Sequence, residues 1–553
     1  MGAGSVSGST PREKPPSWKL KAPNDVQTQG IVVSGFSKLP SARALFLFCD
    51  WPENGDSTAY VLGKGAWISA FRKVAPITDC DGRDERAAIL ALTWTGLQKS
   101  GLSPEALSTF SGPFREGMYQ EDRLRRLGDR YEGKWLGSVI DNGPVWGGNT
   151  PLRDQEAARV VARGFDEPPG PEDLPPLQPV PTPKTVHAML MLYTADDDTL
   201  LAWQKAIVAA LAPYNVRVVH ELGLSLQLDK DEVAHEHFGF ADGISQPVPF
   251  GGKTADGDDS VVFEDGRPVP KDPWHGVPLG EILLGHTNAH AEKSPGPLVP
   301  DDRGGLARTA KLPQEGAPEG YLNFGLNGSY MVVRELRQYV ARFWQNLEEN
   351  AARIRTHDPK AVHVTAAWLA ERIVGRTVDG HLLCPSGKLA ADEFSLPQNT
   401  FGFAATDRHG HGCPMGSHVR RANPRDGLAP TPAEAETLLA AANNHRILRR
   451  GRTYGRPPSD PRAEDNTERG LLFVCLNSDI ARQFEFIQQT WMLNRNFATL
   501  YDETDPLVGP KGGFTISEQP LRRIVQVQTF IQMAGGEYFF LPSLPALDYL
   551  ESL

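Results

Sequence analysis

The sixteen residues from His411 to Asp426, HGCPMGSHVRRANPRD, place a single imidazole, His418, behind a Cys-Pro-Met-Gly-Ser turn and in front of a basic run. A turn punctuated by Gly and Pro fixes the backbone and leaves the ring free to reach inward. That arrangement suits a ligand to a large flat cofactor. Arg420, Arg421 and Arg425 follow. Guanidinium forks match carboxylate oxygens, so these residues could pair with acidic groups such as haem propionates. The plain alternative is a surface or satisfied core histidine. Two further stretches stand out, HFGFADGISQP from His237 to Pro247 and HRILRRGRTYG from His445 to Gly455.

The elements that would position these loops alternate strand and helix. Residues 1 to about 24 are polar and read as a flexible tail. GIVVSGF and ARALFLFCDW, between Gln29 and Trp51, read as short buried strands. Asp84 to Gly101 reads as a helix, with Glu85 in its first turn and Gly101 past its end. Eight prolines between Pro168 and Pro183 mark a surface connection. Val186 to Tyr193 reads as a strand, followed by a helix capped near Asp197 with Leu200, Trp203, Ile207 and Leu211 on one face. VRVVHELGLSLQL then reads as one or two strands.

From Gly251 to about Gly320 the chain is rich in Gly, Pro and Asp and reads as an inter-domain crossing, with an apolar island at Glu281 to Gly285. The grammar then repeats. Gly328 to Val333 predicts a strand leading to a helix with Leu336, Val340, Phe343 and Leu347 in phase. Leu471 to Leu476 predicts a strand before a helix capped near Ser478, with Ile480, Phe484, Ile487 and Trp491 in phase. Two similar α/β units follow from this pattern, one over residues 25–250 and one over 321–553.

The chain has 553 residues, and its net charge of -11 argues against a surface that tracks nucleic-acid phosphates. Cys49, Cys80, Cys384, Cys413 and Cys475 show no CxxC spacing and are odd in number. They make a poor disulfide framework and a poor zinc site. The N-terminus lacks the apolar core of a signal peptide, and no run approaches membrane-spanning length. A cytoplasmic location without membrane or nucleic-acid partners is the expectation. Gly2 invites N-myristoylation, but Val6 stands where that pattern wants Ser or Thr.

GFADGISQP, GCPMGSHVRRANPRD and HRILRRGRTYG, in that order, resemble the dye-decolourising peroxidases, a family of haem enzymes. DVQTQGIVVSGFSKLPSARALFLF, LNFGLNGSYMVVRELRQYVARFW and GGEYFFLPSLPAL extend the resemblance to the family's longer members. It implies an α+β fold in which two ferredoxin-like domains form a dimeric α+β barrel-like haem protein, with haem b held mainly by the C-terminal domain. It implies that His418 is the axial iron ligand, Asp242 the distal acid/base and Arg449 the distal arginine, with Arg425 and Gly243 also touching the cofactor. Arg446, Arg450 and Arg452 compete for the distal role. Some bacterial members carry Asn two positions beyond this Arg, where Gly451 stands here.

The implied activity is reduction of hydrogen peroxide through a ferryl intermediate, with dyes, phenolics or other small aromatic reductants as electron donors. Asp242 would take and return a proton, and its plain alternative is a turn aspartate bonding its own backbone. Arg449 would stabilise negative charge on oxygen, against the alternative of a solvated basic face. The far nitrogen of His418 should donate to a carboxylate, for which Glu485 and Asp479 are the candidates. A carboxylate base implies activity favoured by acid.

A haem carrier without efficient turnover would share His418 and not require Asp242 with Arg449. A metal site built from His409, His411 and Cys413, with His235 and His237 as a second pair, is a further rival. No P-loop, GxSxG elbow or HExxH is present. A homo-oligomer is possible on this reading.

Overall fold

Long runs such as ALFLF and MLMLY lack polar alternation because the strands they form are covered on both faces. The computed structural model describes residues 18–51, 63–82, 85–148, 184–230, 233–251, 261–264, 267–302, 311–383, 399–518 and 521–553. In the first half, β1 (Ser41–Cys49), α1 (Ala66–Arg72), β2 (Arg86–Leu92), β3 (Ala188–Thr194), α2 (Asp197–Leu211) and β4 (Val216–Ser225) follow the order βαββαβ. Their strands lie side by side as β4-β1-β3-β2, all antiparallel.

The second half repeats the order with β5 (Ser329–Gln338), α3 (Val340–His357), β7 (Arg452–Tyr454), β8 (Gly470–Asn477) and β9 (Ile531–Leu541). Two π-helical turns, Ala481–Glu485 and Ile487–Met492, stand in the place of its second helix. Its strands lie as β7-β8-β5-β9, and the two-residue strand β6 (Leu448–Arg449) also pairs with β8. Both halves thus share one ferredoxin-like arrangement.

The halves join edge to edge. Thr453 and Tyr454 of β7 pair with Ser225 and Leu224 of β4, and Leu92 of β2 pairs with Phe540 of β9. The ring closes within one chain, which removes the open edges of each sheet. Phe46, Met191, Met331, Val333, Val474 and Phe539 fill the barrel interior. Leu90, Leu190 and Leu192 point outward under Trp67, Phe71 and Trp203 of α1 and α2.

Several elements differ from their sequence expectation. The helix expected over Asp84 to Gly101 is strand β2 followed by a short helix, Trp94–Lys99, capped by the Thr93 side chain. Ala and Leu favour a helix in isolation, but the site between β3 and β9 is a double-faced strand position, and tertiary context overrides the preference. GIV is a 3₁₀ turn, Gly30–Val32, and Leu336 belongs to the long strand β5 rather than to α3. The stretch from 251 to 320 carries short strand pairs, and Ile282, Leu283 and Leu284 of its apolar island are fully buried. The proline-rich connection and most of the expected N-terminal tail lie outside the described residues.

Candidate active site

A cavity of about 300 Å³ lies between the outer face of the second half's sheet and the segments packed over it. Leu336, Leu471, Phe473 and Ile531 form its sheet wall, and Val419, Trp491, Met492, Leu507 and Val508 face them. His418 reaches it as the first residue of a short helix, His418–Ala422. The preceding turn is pinned by Ser417, whose N–H and hydroxyl both donate to the Pro414 carbonyl, at 3.0 and 2.9 Å.

The Nδ1 of His418 lies 2.9 Å from Oδ2 of Asp505, which is fully buried. The other Asp505 oxygen accepts from the backbone N–H groups of Leu507 and Val508. Burial works against the Asp505 charge, yet the His418 ring and these donors hold its carboxyl below the usual range. Burial likewise opposes a charge on the imidazole, and Asp505 outweighs it and raises the ring's pKa. An ionised acceptor makes Nδ1 the donor and turns Nε2 toward the cavity. The carboxylate expected among Glu485 and Asp479 is therefore Asp505. Glu485 instead accepts from Arg123 and Tyr538, and Asp479 caps the N–H of Arg482.

Asp242 sits on a loop built for close approach. Gly239 and Gly243 on either side of it have φ of 102° and 77°, left-handed values that favour glycine. Glu236 clamps the loop: one oxygen accepts from Phe240 N–H, the other from Phe238 N–H and the Gln338 amide. Oδ1 of Asp242 accepts from Gly243 N–H at 2.6 Å and from Nη1 of Arg449 at 3.0 Å. Burial pushes the Asp242 carboxyl up, but the Arg449 charge and the Gly243 N–H more than offset it, leaving the pKa lowered. Both side chains keep about a third of their surface open, 34% and 35%, because the cavity reaches them.

Of the four crowded arginines, Arg449 alone pairs with Asp242. Arg450 and Arg452 are not a solvated face: they donate to carbonyls of residues 31–32 and 35–40 and tie the N-terminal segment to the barrel. Arg420 and Arg421, read as cofactor partners, also turn away. Arg420 donates to the carbonyls of Asp407 and Cys413, and Arg421 to those of Trp491 and Glu503.

Arg425 does line the cavity, beside Arg446, a competitor for the distal role on the sequence, and Arg376, which sequence reasoning missed. Arg425 donates to the carbonyls of Asn399 and Phe401 and lies 4.0 Å over the Phe401 ring. Burial, with Arg446 and Arg376 nearby, depresses its pKa well below the ordinary value, and burial followed by Arg449 brings Arg446 down to about 10. Like charges crowded in a poor dielectric invite an anion. Gly243 lines the cavity through its left-handed turn.

The rival metal site does not assemble. His235 bonds Gly239 and Asp229, His237 bonds the Tyr454 carbonyl, and among the described residues no cluster of three His, Cys, Asp or Glu side chains could hold a metal ion. Among the same residues, no helix is long and apolar enough to cross a membrane.

No family model matches the chain. It is 31% identical over 391 residues to the multifunctional dye peroxidase DyP2 of an Amycolatopsis strain, covering 66% of this chain and 72% of that protein. It is 28% identical over 383 residues to the dye-decolorizing peroxidase of Exidia glandulosa, covering 66% of this chain and 64% of that protein. Among solved structures, a DyP-type peroxidase of Anabaena aligns with a TM-score of 0.62 at 23% identity, over 95% of this chain and 94% of that one. A dye-decolorizing peroxidase in complex with 2,6-dimethoxyphenol aligns with a TM-score of 0.63 at 22% identity, over 96% and 99%. At those identities the structural likeness bears on the fold.

Proposed function

This chain belongs to the dye-decolourising peroxidase family, and from that premise we propose that it reduces hydrogen peroxide at a haem b held by His418, drawing electrons from dyes or phenolic donors. The observation that carries the reading is the Asp242–Arg449 pair at a cavity that His418, backed by Asp505, also lines. A haem carrier has no need of the first pair.

The residues present fit such a cofactor. The walls are apolar, one imidazole nitrogen turns inward, and buried Arg376, Arg425 and Arg446 gather at one part of the cavity. His418 would hold the iron and the arginines the propionates. Bound haem would supply the electron transfer that peroxide reduction requires.

The chain's own groups then have separate tasks. Asp505 holds the Nδ1–H of His418, which fixes the ring and raises the basicity of Nε2. Asp242, ionised because of Arg449 and Gly243, takes the proton from one peroxide oxygen and returns it to the other, so that water leaves. The Arg449 guanidinium stabilises the negative charge that builds on the departing oxygen. Glu236 and the two glycines keep the Asp242 loop in place.

Absorption spectra of the wild type, His418→Ala and Asp242→Asn, before and after peroxide, test the reading. The first variant should lose haem and the second should keep it but react slowly. Full haem content in His418→Ala would move the axial ligand elsewhere.

A further inference from the structure

Along β5, Arg334, Leu336 and Gln338 line the cavity. Glu335 between them must face the other way, into the barrel, where Met331 and Val333 also lie. There a single oxygen of Glu335, Oε2, takes two hydrogen bonds. The Trp146 indole N–H donates to it at 2.7 Å, and Nε2 of His220 lies 2.9 Å from it. Trp146 is fully buried and Glu335 is 4% exposed, whereas the His220 side chain keeps 15% of its surface. Room for the indole comes from β9: a Cβ at Gly535 would sit 2.2 Å from its Nε1.

A buried indole N–H needs an acceptor, and a backbone carbonyl would serve. Burying a carboxylate for the purpose costs desolvation. It also supplies what a carbonyl lacks, a base able to take the indole proton. That proton becomes strongly acidic only when the indole loses an electron.

We propose that Trp146 is an oxidisable residue of this protein, giving up one electron across β5 while its N–H proton moves to Glu335. The inference rests on the peroxidase reading, which supplies hydrogen peroxide as the oxidant at the cavity on the far side of that strand. The Trp146 N–H bond breaks, a Glu335 O–H bond forms, and a neutral indolyl radical remains. Its electron is one of the two that hydrogen peroxide takes up as the O–O bond breaks and one water leaves, and bound haem would supply the other. His220, on the same carboxylate oxygen, links that proton to solvent.

Mixing the haem-loaded protein with equimolar peroxide and no reductant, then freezing for electron paramagnetic resonance, tests this. The wild type should give a radical whose lines narrow when ring-deuterated tryptophan is incorporated. Trp146→Phe should lack it. Glu335→Gln, of equal size, should form it about a hundredfold more slowly. In haem-free protein, the indole ¹H–¹⁵N resonance absent from Trp146→Phe should lie downfield and move in Glu335→Gln. A radical unchanged in Trp146→Phe, or one confined to tyrosine, while peroxide is still consumed, overturns the inference and leaves the peroxidase reading standing. If Trp146→Phe does not fold, an unchanged rate in Glu335→Gln overturns it. Failure of the wild type to consume peroxide overturns both.

Discussion

The two halves of the barrel carry the same strand order, but among the described residues their outer sheet faces are covered differently. In the first, α1 and α2 bring Trp67, Phe71 and Trp203 down on the sheet and close it with apolar contacts. In the second, the chain between α3 and β6, from His357 to Leu448, carries the His418 loop, and π-helical turns replace a regular helix. The outer sheet face there meets His418, Arg425 and Trp491 across open space. A shared scaffold therefore does not decide where chemistry happens. What decides it is which sheet face the connections leave uncovered.

The strongest way to break this contrast is to remove the charge pair from the open half. Asp242→Asn should lower kcat/KM for peroxide by about 10²- to 10⁴-fold with haem retained. Arg449→Leu should act in the same direction through about 10²- to 10³-fold. It also has a signature in pH. Arg449 holds the Asp242 carboxyl below its ordinary value, so its loss raises that pKa, and the acid limb of the kcat/KM profile should move to higher pH. A variant with unchanged rates would leave the cavity without its proton-moving group.

In the closed half, Trp67 of α1 is 1% exposed and packs down on the sheet. Trp67→Ala should cost about 3–5 kcal/mol of stability, measured by denaturant unfolding, while the haem spectrum and peroxide rate of the folded fraction stay unchanged. A shifted haem spectrum would show that the halves are coupled more tightly than their separate cores imply. Between these extremes, Asp505→Asn should weaken haem retention by about 10- to 100-fold in competition with an apoglobin acceptor. The amide still accepts from Nδ1–H but carries no charge to fix the imidazole.

The contrast also explains what could be read ahead of the structure. That His418, Asp242 and Arg449 meet at one cavity was legible because Gly, Pro and Asp chemistry sets their loops locally and motif order ties them to one family. Asp505 was not. It lies 87 residues beyond His418, and its other oxygen serves an ordinary turn. Glu485 was a candidate as a carboxylate on the C-terminal helix, yet its side chain turns to Arg123. Strand β2 was misread for a related reason: burial on both faces erases the period-two pattern by which a strand is known. Positions fixed by local turns were readable, and positions fixed by long-range packing were not.

The smallest expected effect concerns Glu236, the clamp beneath Asp242. Burial pushes its carboxyl from 4.5 up to about 7, against the Phe238, Phe240 and Gln338 donors that favour the charged form. A carboxyl raised on folding binds its proton more tightly in the native state, so its contribution to stability is full below about pH 4.5 and is lost as pH rises through 7. Glu236→Gln cannot ionise and escapes that loss, though its NH₂ meets a loop N–H where an oxygen had accepted. The variant should therefore be less stable than wild type at pH 5, with the gap narrowing toward pH 8 in thermal melts. A gap that widens with pH would mean that the loop donors, not burial, govern this carboxyl, and that the Asp242 loop is held most firmly when Glu236 is charged.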